Sequence, residues 1–178
     1  MQFEDPRVIR TQTMLKEALL SLLVDGYELH QLSVQKVTKQ AQLNRTTFYL
    51  HYEDLSDLQR QMTAEILQKV TVKITSLMHN THNARQEQVI DLLNYLKEQW
   101  SIIFVLKQQS TLEQHLFTSF EQMIVVRRHH PMKPKRDMYI DSDIKTASII
   151  GVMMWWLKSD TVHTAETIAQ QIEQMNQH

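Results

Sequence analysis

Leu32 to Leu58, LSVQKVTKQAQLNRTTFYLHYEDLSDL, is the stretch on which the reading of the whole chain turns. Ser33 is a good N-cap ahead of Val34 to Gln40, where Val34, Val37 and Ala41 recur at helical spacing, so a short helix is predicted there. Asn44 can cap a second helix from Arg45 to about His51, with Phe48 and Tyr52 spaced to face inward. Arg45, Thr46, Thr47, Tyr49 and Leu50 are left for the other surfaces. Helices this short cannot hold together in water and must be carried by packing against their neighbours. A short helix that displays Arg, Thr and Tyr from a fixed platform is what major-groove reading needs. The pattern predicts a DNA-binding helix-turn-helix.

The run Leu43, Asn44, Arg45, Thr46, Thr47, Phe48, Tyr49, Leu50, His51, Tyr52 resembles the end of the DNA-binding region of the tetracycline-repressor (TetR/AcrR) family of bacterial regulators. That family has a hydrophobic residue, then Ser or Asn, a basic residue, a small pair, an aromatic-Tyr, and His or Tyr before Phe or Tyr. The resemblance runs from Arg7 to about Met62, roughly a third of the chain. It implies that Ser33 caps its helix and offers that end to a DNA phosphate, with Lys36 beside it. It further implies that Arg45 meets a phosphate or a base edge, that Thr46 and Thr47 approach bases or thymine methyls, and that Tyr49 and His51 touch the backbone. Two positions depart from the family pattern. Gln42 stands where the family usually has Gly, which is expected to cost a little stability. Leu55 stands where it usually has a Lys on the DNA backbone, so a phosphate contact is expected to be lost.

Composition sets outer bounds. A chain of 178 residues supports one or two domains with a sizeable core. It has two glycines and three prolines, and none of the prolines lies between Arg7 and His130, which favours long helices over turn-rich β structure. With no cysteine there is no disulfide framework, Cys-based zinc site or thiol nucleophile. MQFEDPRVIR lacks the apolar core of a signal peptide. The apolar stretch Ala147 to Leu157 is far short of the ~20 residues a membrane span needs. A cytoplasmic protein without a membrane partner is expected. Residues 1–60 hold seven Lys and Arg against eight Asp and Glu, so the presumptive head is not basic overall and must bind DNA by local charge placement, or weakly.

Working outward, a first helix is predicted from Arg7 to about Val24, with Val8, Leu15, Ala18, Leu19 and Leu22 as its stripe and Gly26 just past its end. Arg7 and Arg10 suit either phosphates or a solvated first turn. Asp54 reads as the N-cap of a long helix to about His79, striped by Leu58, Met62, Ile66, Val70, Ile74 and Leu77, linking head to body. Asn80 to Gln86 reads as a loop. Val89, Leu92, Leu93 and Leu96 form one stripe, Trp100, Ile103, Phe104 and Leu106 a second segment, and Leu116, Phe117, Phe120, Met123 and Ile124 a third. The basic run from Arg127 to Asp137 reads as a solvated linker rather than a nucleic-acid contact. Tyr139 to about Ser159 is apolar nearly all round in its second half, so burial on every side is expected, with a partner subunit covering one of them. Thr164 can cap a last helix striped by Ile168, Ile172 and Met175. This pair resembles the family's dimer-forming helices, and Ala147, Gly151, Met154, Ile168 and Ile172 are the expected interface.

Nine histidines raise a metal site, with His79 and His82 at i,i+3 and His129 beside His130, but no acidic or Cys residue completes a ligand set. Surface histidines are the simpler reading, and no metal or cofactor is expected. Two distant glycines exclude a Gly-rich phosphate loop, and no Ser/His/Asp pattern is visible in the spacing, so an enzyme is not expected. Met62, Trp100, Phe104, Phe117, Phe120 and Met153 are candidates to line a ligand cavity, against the commoner reading of ordinary core. The fold expected is all-α: residues 1–53 as a helix-turn-helix DNA-binding domain and 54–178 as a helical regulatory and dimerisation domain. The function expected is a homodimeric repressor bound to double-stranded operator DNA and modulated by a small-molecule effector. The alternative is a sensor or protein-interaction module of the same fold with little DNA binding.

Overall fold

A computed structural model describes residues 5–77, 82–128, 137–160 and 162–177, with the backbone alone for 82–85, 124–128, 137–143 and 176–177. The described chain is all-helical: α1 (Pro6–Val24), a 3-10 turn (Leu29–Gln31), α2 (Val34–Gln40), α3 (Arg45–Tyr49), α4 (Leu55–Ser76), α5 (His82–Val105), α6 (Gln109–Arg128), α7 (Asp137–Lys158) and α8 (Ala165–Gln177). Among the described residues, no helix is long and apolar enough to cross a membrane. Two compact units form, one from Met1–Glu65 with Ile102–Lys107, the other from Ile66–Ser101 with Gln108–His178.

The first unit is built on α1. Asp5 accepts the Arg7 N–H at 2.9 Å and Pro6 opens the helix, so its first turn is capped and preset. Leu15, Ala18, Leu19 and Leu22 meet Val37 of α2, Ala41 at its C-cap, Phe48 of α3, Tyr52, and Leu55, Leu58 and Met62 of α4 in one core. Each large apolar side chain buried here contributes about 1.5–3 kcal/mol. Gly26 ends α1 at φ +93, where its N–H donates to Leu23 O at 3.1 Å and that of Tyr27 to Leu22 O at 3.2 Å. This is a Schellman closure, and it fixes where Tyr27 leaves the helix. The end of α5 belongs to the same unit. Leu106 enters the core, Gln59 Nε2 donates to Leu106 O at 2.8 Å, and Lys107 Nζ reaches Glu28 Oε1 at 3.1 Å.

In the second unit Ile66, Val70 and Ile74 of α4, Leu77 just past its end, Leu92, Leu93 and Leu96 of α5, and Leu112, Leu116 and Phe120 of α6 are buried. Lys97 of α5 points its ammonium at Trp156 O and Ser159 O, both 3.4 Å away, where a cation satisfies carbonyls left open at the end of α7. Trp156 is buried, and its Nε1 donates to His163 O at 2.8 Å. That bond ties the connection between α7 and α8 back onto α7. Ile168 and Ile172 on α8 are buried in turn.

Several boundaries differ from the sequence reading. α5 is one helix from His82, not a loop to Gln86 followed by two segments, because neither Gly nor Pro interrupts Asn83 to Val105. α3 stops at Tyr49, two residues early, with the His51 N–H turning back to Phe48 O at 3.0 Å. Helix α6 extends to Arg128, while residues 129–136 of the expected linker, with the His129–His130 pair, lie outside the described residues, as does His79. In α7 one side stays open, as the sequence reading allows. Ile150, Met153, Met154, Trp156 and Leu157 are buried, but Ile144 is 60% and Trp155 51% exposed. Its apolar surface exceeds what the described residues cover.

Candidate nucleic-acid interface

Ser33 sits in extended backbone and its Oγ accepts the Lys36 N–H at 3.2 Å, which caps α2 as its position predicts. Val37 and Thr38 turn inward, and the Thr38 hydroxyl donates to Val34 O at 2.9 Å, so no buried hydroxyl is left unmatched there. The turn after α2 repeats the closure of α1: the Gln42 N–H donates to Lys39 O at 3.2 Å and that of Leu43 to Thr38 O at 2.8 Å. Gln42 adopts φ +56, the left-handed conformation in which Gly is favoured. An L-residue there costs roughly 1 kcal/mol or more, so the departure from the family's glycine is a local strain rather than a different turn.

Asn44 caps α3 twice over, its Oδ1 accepting the Thr47 N–H at 2.7 Å and the Thr47 hydroxyl at 2.8 Å. Phe48 is 0% and Tyr52 3% exposed, their ring centroids 5.6 Å apart. These two rings anchor the helix and so decide what the other face shows. Arg45, Thr46 and Tyr49 stand exposed, Thr47 and His51 half-buried, and Leu50 beside them is exposed. The Tyr49 ring meets Phe48 edge-on at 5.6 Å, and Arg45 Nη2 donates to the Tyr49 hydroxyl at 3.3 Å. The seven residues predicted to meet DNA therefore lie at the capped start of α2, along α3 and, for His51, just past its end, within one compact unit.

Leu55 turns inward. Expected to mark a lost phosphate contact, it is 8% exposed and packs in the head's core at the start of α4. Leu55, Leu58 and Met62 recur at helical spacing, and that apolar register draws the side chain inward. The start of α4 is held by carboxylates. Asp54 Oδ1 accepts the Asp57 N–H at 2.8 Å, and Asp57 Oδ2 accepts the Glu53 N–H at 3.1 Å and the Gln61 amide at 3.0 Å. The Glu53 backbone N–H foremost, then the Gln61 amide and Arg60, hold the Asp57 carboxyl below the usual carboxylate range.

Five of the unit's cations have a described partner, of two kinds. Lys16 pairs with Glu65 at 2.6 Å, Arg60 with Asp57 at 2.5 Å and Lys107 with Glu28 at 3.1 Å. Lys36 and Arg45, inside the helix-turn-helix, rest against tyrosines instead. Lys36 Nζ lies 3.1 Å from the centroid of the Tyr27 ring, and Arg45 Cζ 5.9 Å from that of Tyr49. Tyr27 was not singled out by the sequence, because a spacing of nine residues across a turn has no helical or strand period.

The remaining candidates are dispersed. Met62 is part of the first unit's core, Phe104 and Phe117 are exposed, Trp100 is half-buried, and Phe120 and Met153 are buried. A cleft of about 310 Å³ does open in the first unit, along Met14, Glu17, Ala18, Ser21, Gln40, Ala41 and Gln42, and none of those six lines it. Of the expected dimer residues, Ala147 and Gly151 are open, and among the described residues a Cβ on Gly151 would meet no atom within 4 Å beyond its chain neighbours and its own helix backbone. Met154, Ile168 and Ile172 are buried within the chain itself. Among the described residues, no group of three or more His, Asp or Glu is placed to hold a metal ion.

A family model of a transcriptional regulator C-terminal region, of the TetR type, matches residues 83–178, more than half of the chain. The chain belongs to the TetR family of transcriptional regulators. It is similar over 182 aligned residues, at 21% identity, to the HTH-type transcriptional regulator YxbF of Bacillus subtilis. That match takes in 96% of this chain but 45% of YxbF, so the chain spans under half the length of this curated relative. Among solved structures, a TetR transcriptional regulator from Streptococcus agalactiae 2603V matches with a TM-score of 0.61 at 20% identity, over 96% of both chains. A TetR/AcrR-type regulator from Aquifex aeolicus VF5 gives 0.62 at 12% identity, over 94% of this chain and 98% of its own. The dihydroxyacetone kinase operon activator DhaS gives 0.56 at 18% identity, over 93% of each. At such identities these structures share the fold with this TetR-family chain.

Proposed function

We propose that the chain is a homodimeric repressor that binds double-stranded operator DNA through α3 and the first turn of α2, is not an enzyme, and works in the cytoplasm. One observation carries the reading: Phe48 of α3 and Tyr52 just beyond it are buried, while Arg45, Thr46 and Tyr49 of that short helix stand exposed. Such a helix has surface to spare and no packing use for it. In this reading Arg45 meets a phosphate or base edge, Thr46 and Thr47 approach bases, and Ser33, Lys36, Tyr49 and His51 position the protein on the backbone. Functionally, residues 1–53 serve DNA binding, and 54–178 serve regulation and dimerisation.

Dimerisation is assigned to the open side of α7, where Ile144, Ala147, Gly151 and Trp155 recur at helical spacing and are exposed. A second copy presenting the same seam would cover it, and two recognition helices would then meet successive major grooves about 34 Å apart. A small molecule held in the C-terminal unit would change operator affinity by as much as its affinity differs between two states of the protein. The first unit's balance of seven basic against eight acidic side chains in residues 1–60 favours a second reading, a sensor or protein-interaction module that binds DNA poorly.

Selection of bound sequences from random duplex DNA at low salt separates the two. Enrichment of a palindromic site supports the repressor. The Arg45→Ala/Tyr49→Ala double variant should then bind that site at least tenfold more weakly while folding and dimerising normally. Equal affinity of wild type and double variant would sink the assigned DNA-binding face.

A further inference from the structure

We infer that Tyr27 is a positioning residue for DNA binding: its ring holds the Lys36 ammonium in place without neutralising it. The inference rests on the reading that the first turn of α2 faces DNA, and it names the device by which a head without net positive charge keeps a cation available there. Lys36 Nζ lies 3.1 Å from the Tyr27 ring centroid, within the range at which the negative face of an aromatic ring attracts a cation. Both ends of the contact are fixed by backbone. Tyr27 follows the Gly26 closure of α1, its N–H bonded to Leu22 O at 3.2 Å, and Lys36 donates its own N–H to the Ser33 cap at 3.2 Å. Tyr27 is 41% exposed, so the ring is not merely core.

The contrast with the unit's carboxylate-paired cations gives the pair its meaning. Lys16, Arg60 and Lys107 are each within 3.1 Å of a carboxylate, and far from each pair the two opposite fields largely cancel. Among the described residues no carboxylate pairs with Lys36. A lysine side chain left to itself samples many rotamers, and ordering it on a phosphate costs entropy at the moment of binding. An aromatic ring removes that freedom beforehand and leaves the full positive charge for a phosphate. A carboxylate in the same place would order the chain equally and spend the charge.

The test is a double-mutant cycle on a mixed-sequence duplex of fixed length, titrated from low to moderate salt, with helical content and thermal midpoint recorded for every variant. Lys36→Gln should weaken binding and reduce the log–log salt slope by about one. Tyr27→Leu should weaken it about two- to fivefold in the Lys36 background and have no further effect once Lys36 is Gln. Tyr27→Phe, which keeps the ring, should bind as wild type. In the free protein, the Lys36 side-chain protons should be shifted upfield by the ring and lose that shift in Tyr27→Leu but not in Tyr27→Phe. An equal loss for Tyr27→Leu with and without Lys36, or absence of the upfield shift, overturns the inference while DNA binding stands. An unchanged salt slope for Lys36→Gln also overturns it. Failure of the wild-type protein to bind any duplex overturns the DNA-binding reading itself, and the role of Tyr27 with it.

Discussion

Helices α3 and α7 are opposites. The first has five residues and one fate for each of them; the second has 22 and an apolar surface larger than the described residues cover. In α3 the contrast between aromatic and polar positions is complete, so burying Phe48 determines where Arg45 and Tyr49 must point. In α7 nearly every position in the second half is apolar, and the pattern alone does not say which side packs at home. Pattern carries information only where it has contrast. A helix too short to be stable alone is therefore the better specified of the two.

Removing the anchor of α3 should have the largest effect. Phe48→Ala is expected to destabilise the first unit by roughly 3–5 kcal/mol, read from denaturant unfolding, and to abolish DNA binding as a consequence. A loss below about 1 kcal/mol would mean that α3 is held by its caps rather than its core, which would break the comparison. Leu55→Lys comes next. Placing an ammonium at a position 8% exposed should cost about 2–3 kcal/mol from lost burial and desolvation. If the variant instead keeps its stability and binds DNA with a steeper salt dependence, position 55 faces the phosphates.

Gly151→Leu probes the other helix. Among the described residues, no atom beyond its chain neighbours and local helix backbone lies within 4 Å of a Cβ there, so the substitution should leave the folded protomer intact. In a closely packed dimer seam it should cost about 1–3 kcal/mol in each copy, so sedimentation at micromolar concentration should show monomers. A dimer as tight as wild type would move the interface off this face. The smallest effect is expected at the turn before α3, where Gln42→Gly relieves the left-handed strain and should raise stability by about 1 kcal/mol or less. A loss on that substitution would show that the Gln42 side chain contributes more than its backbone costs.

What could be read beforehand follows the same division. The caps Ser33 and Asn44, the anchors Phe48 and Tyr52 and the exposed Arg45 and Tyr49 were legible, because each depends on neighbours within four residues. Leu55 was legible in principle from its register with Leu58 and Met62, but the family's habitual lysine drew attention to charge. The membership of Leu106 in the first unit's core was not legible, since no local pattern says which of two cores a helix end joins. The pairing of Tyr27 with Lys36 depends on the exit angle after Gly26, which composition does not encode. Met154, Ile168 and Ile172 suggested a subunit interface and are buried in their own protomer, because α8 covers the stripe its sequence offers. An apolar stripe needs a cover, and sequence does not say whose.

The placement of the tryptophans has a practical consequence. All three, Trp100, Trp155 and Trp156, belong to the second compact unit, and residues 1–65 contain none. Intrinsic fluorescence excited at the red edge therefore reports one unit alone and is blind to local melting of α1, α2 and α3, which tyrosine signals must follow. Within that unit, Trp156 is buried with its indole N–H satisfied by His163 O and should emit towards the blue, shielded from iodide. Trp155, half in solvent on the adjacent position, should emit to the red and be readily quenched. Two neighbouring residues thus give the protein a built-in optical gauge, one indole reading the integrity of the fold and the other the exposure of the open face of α7.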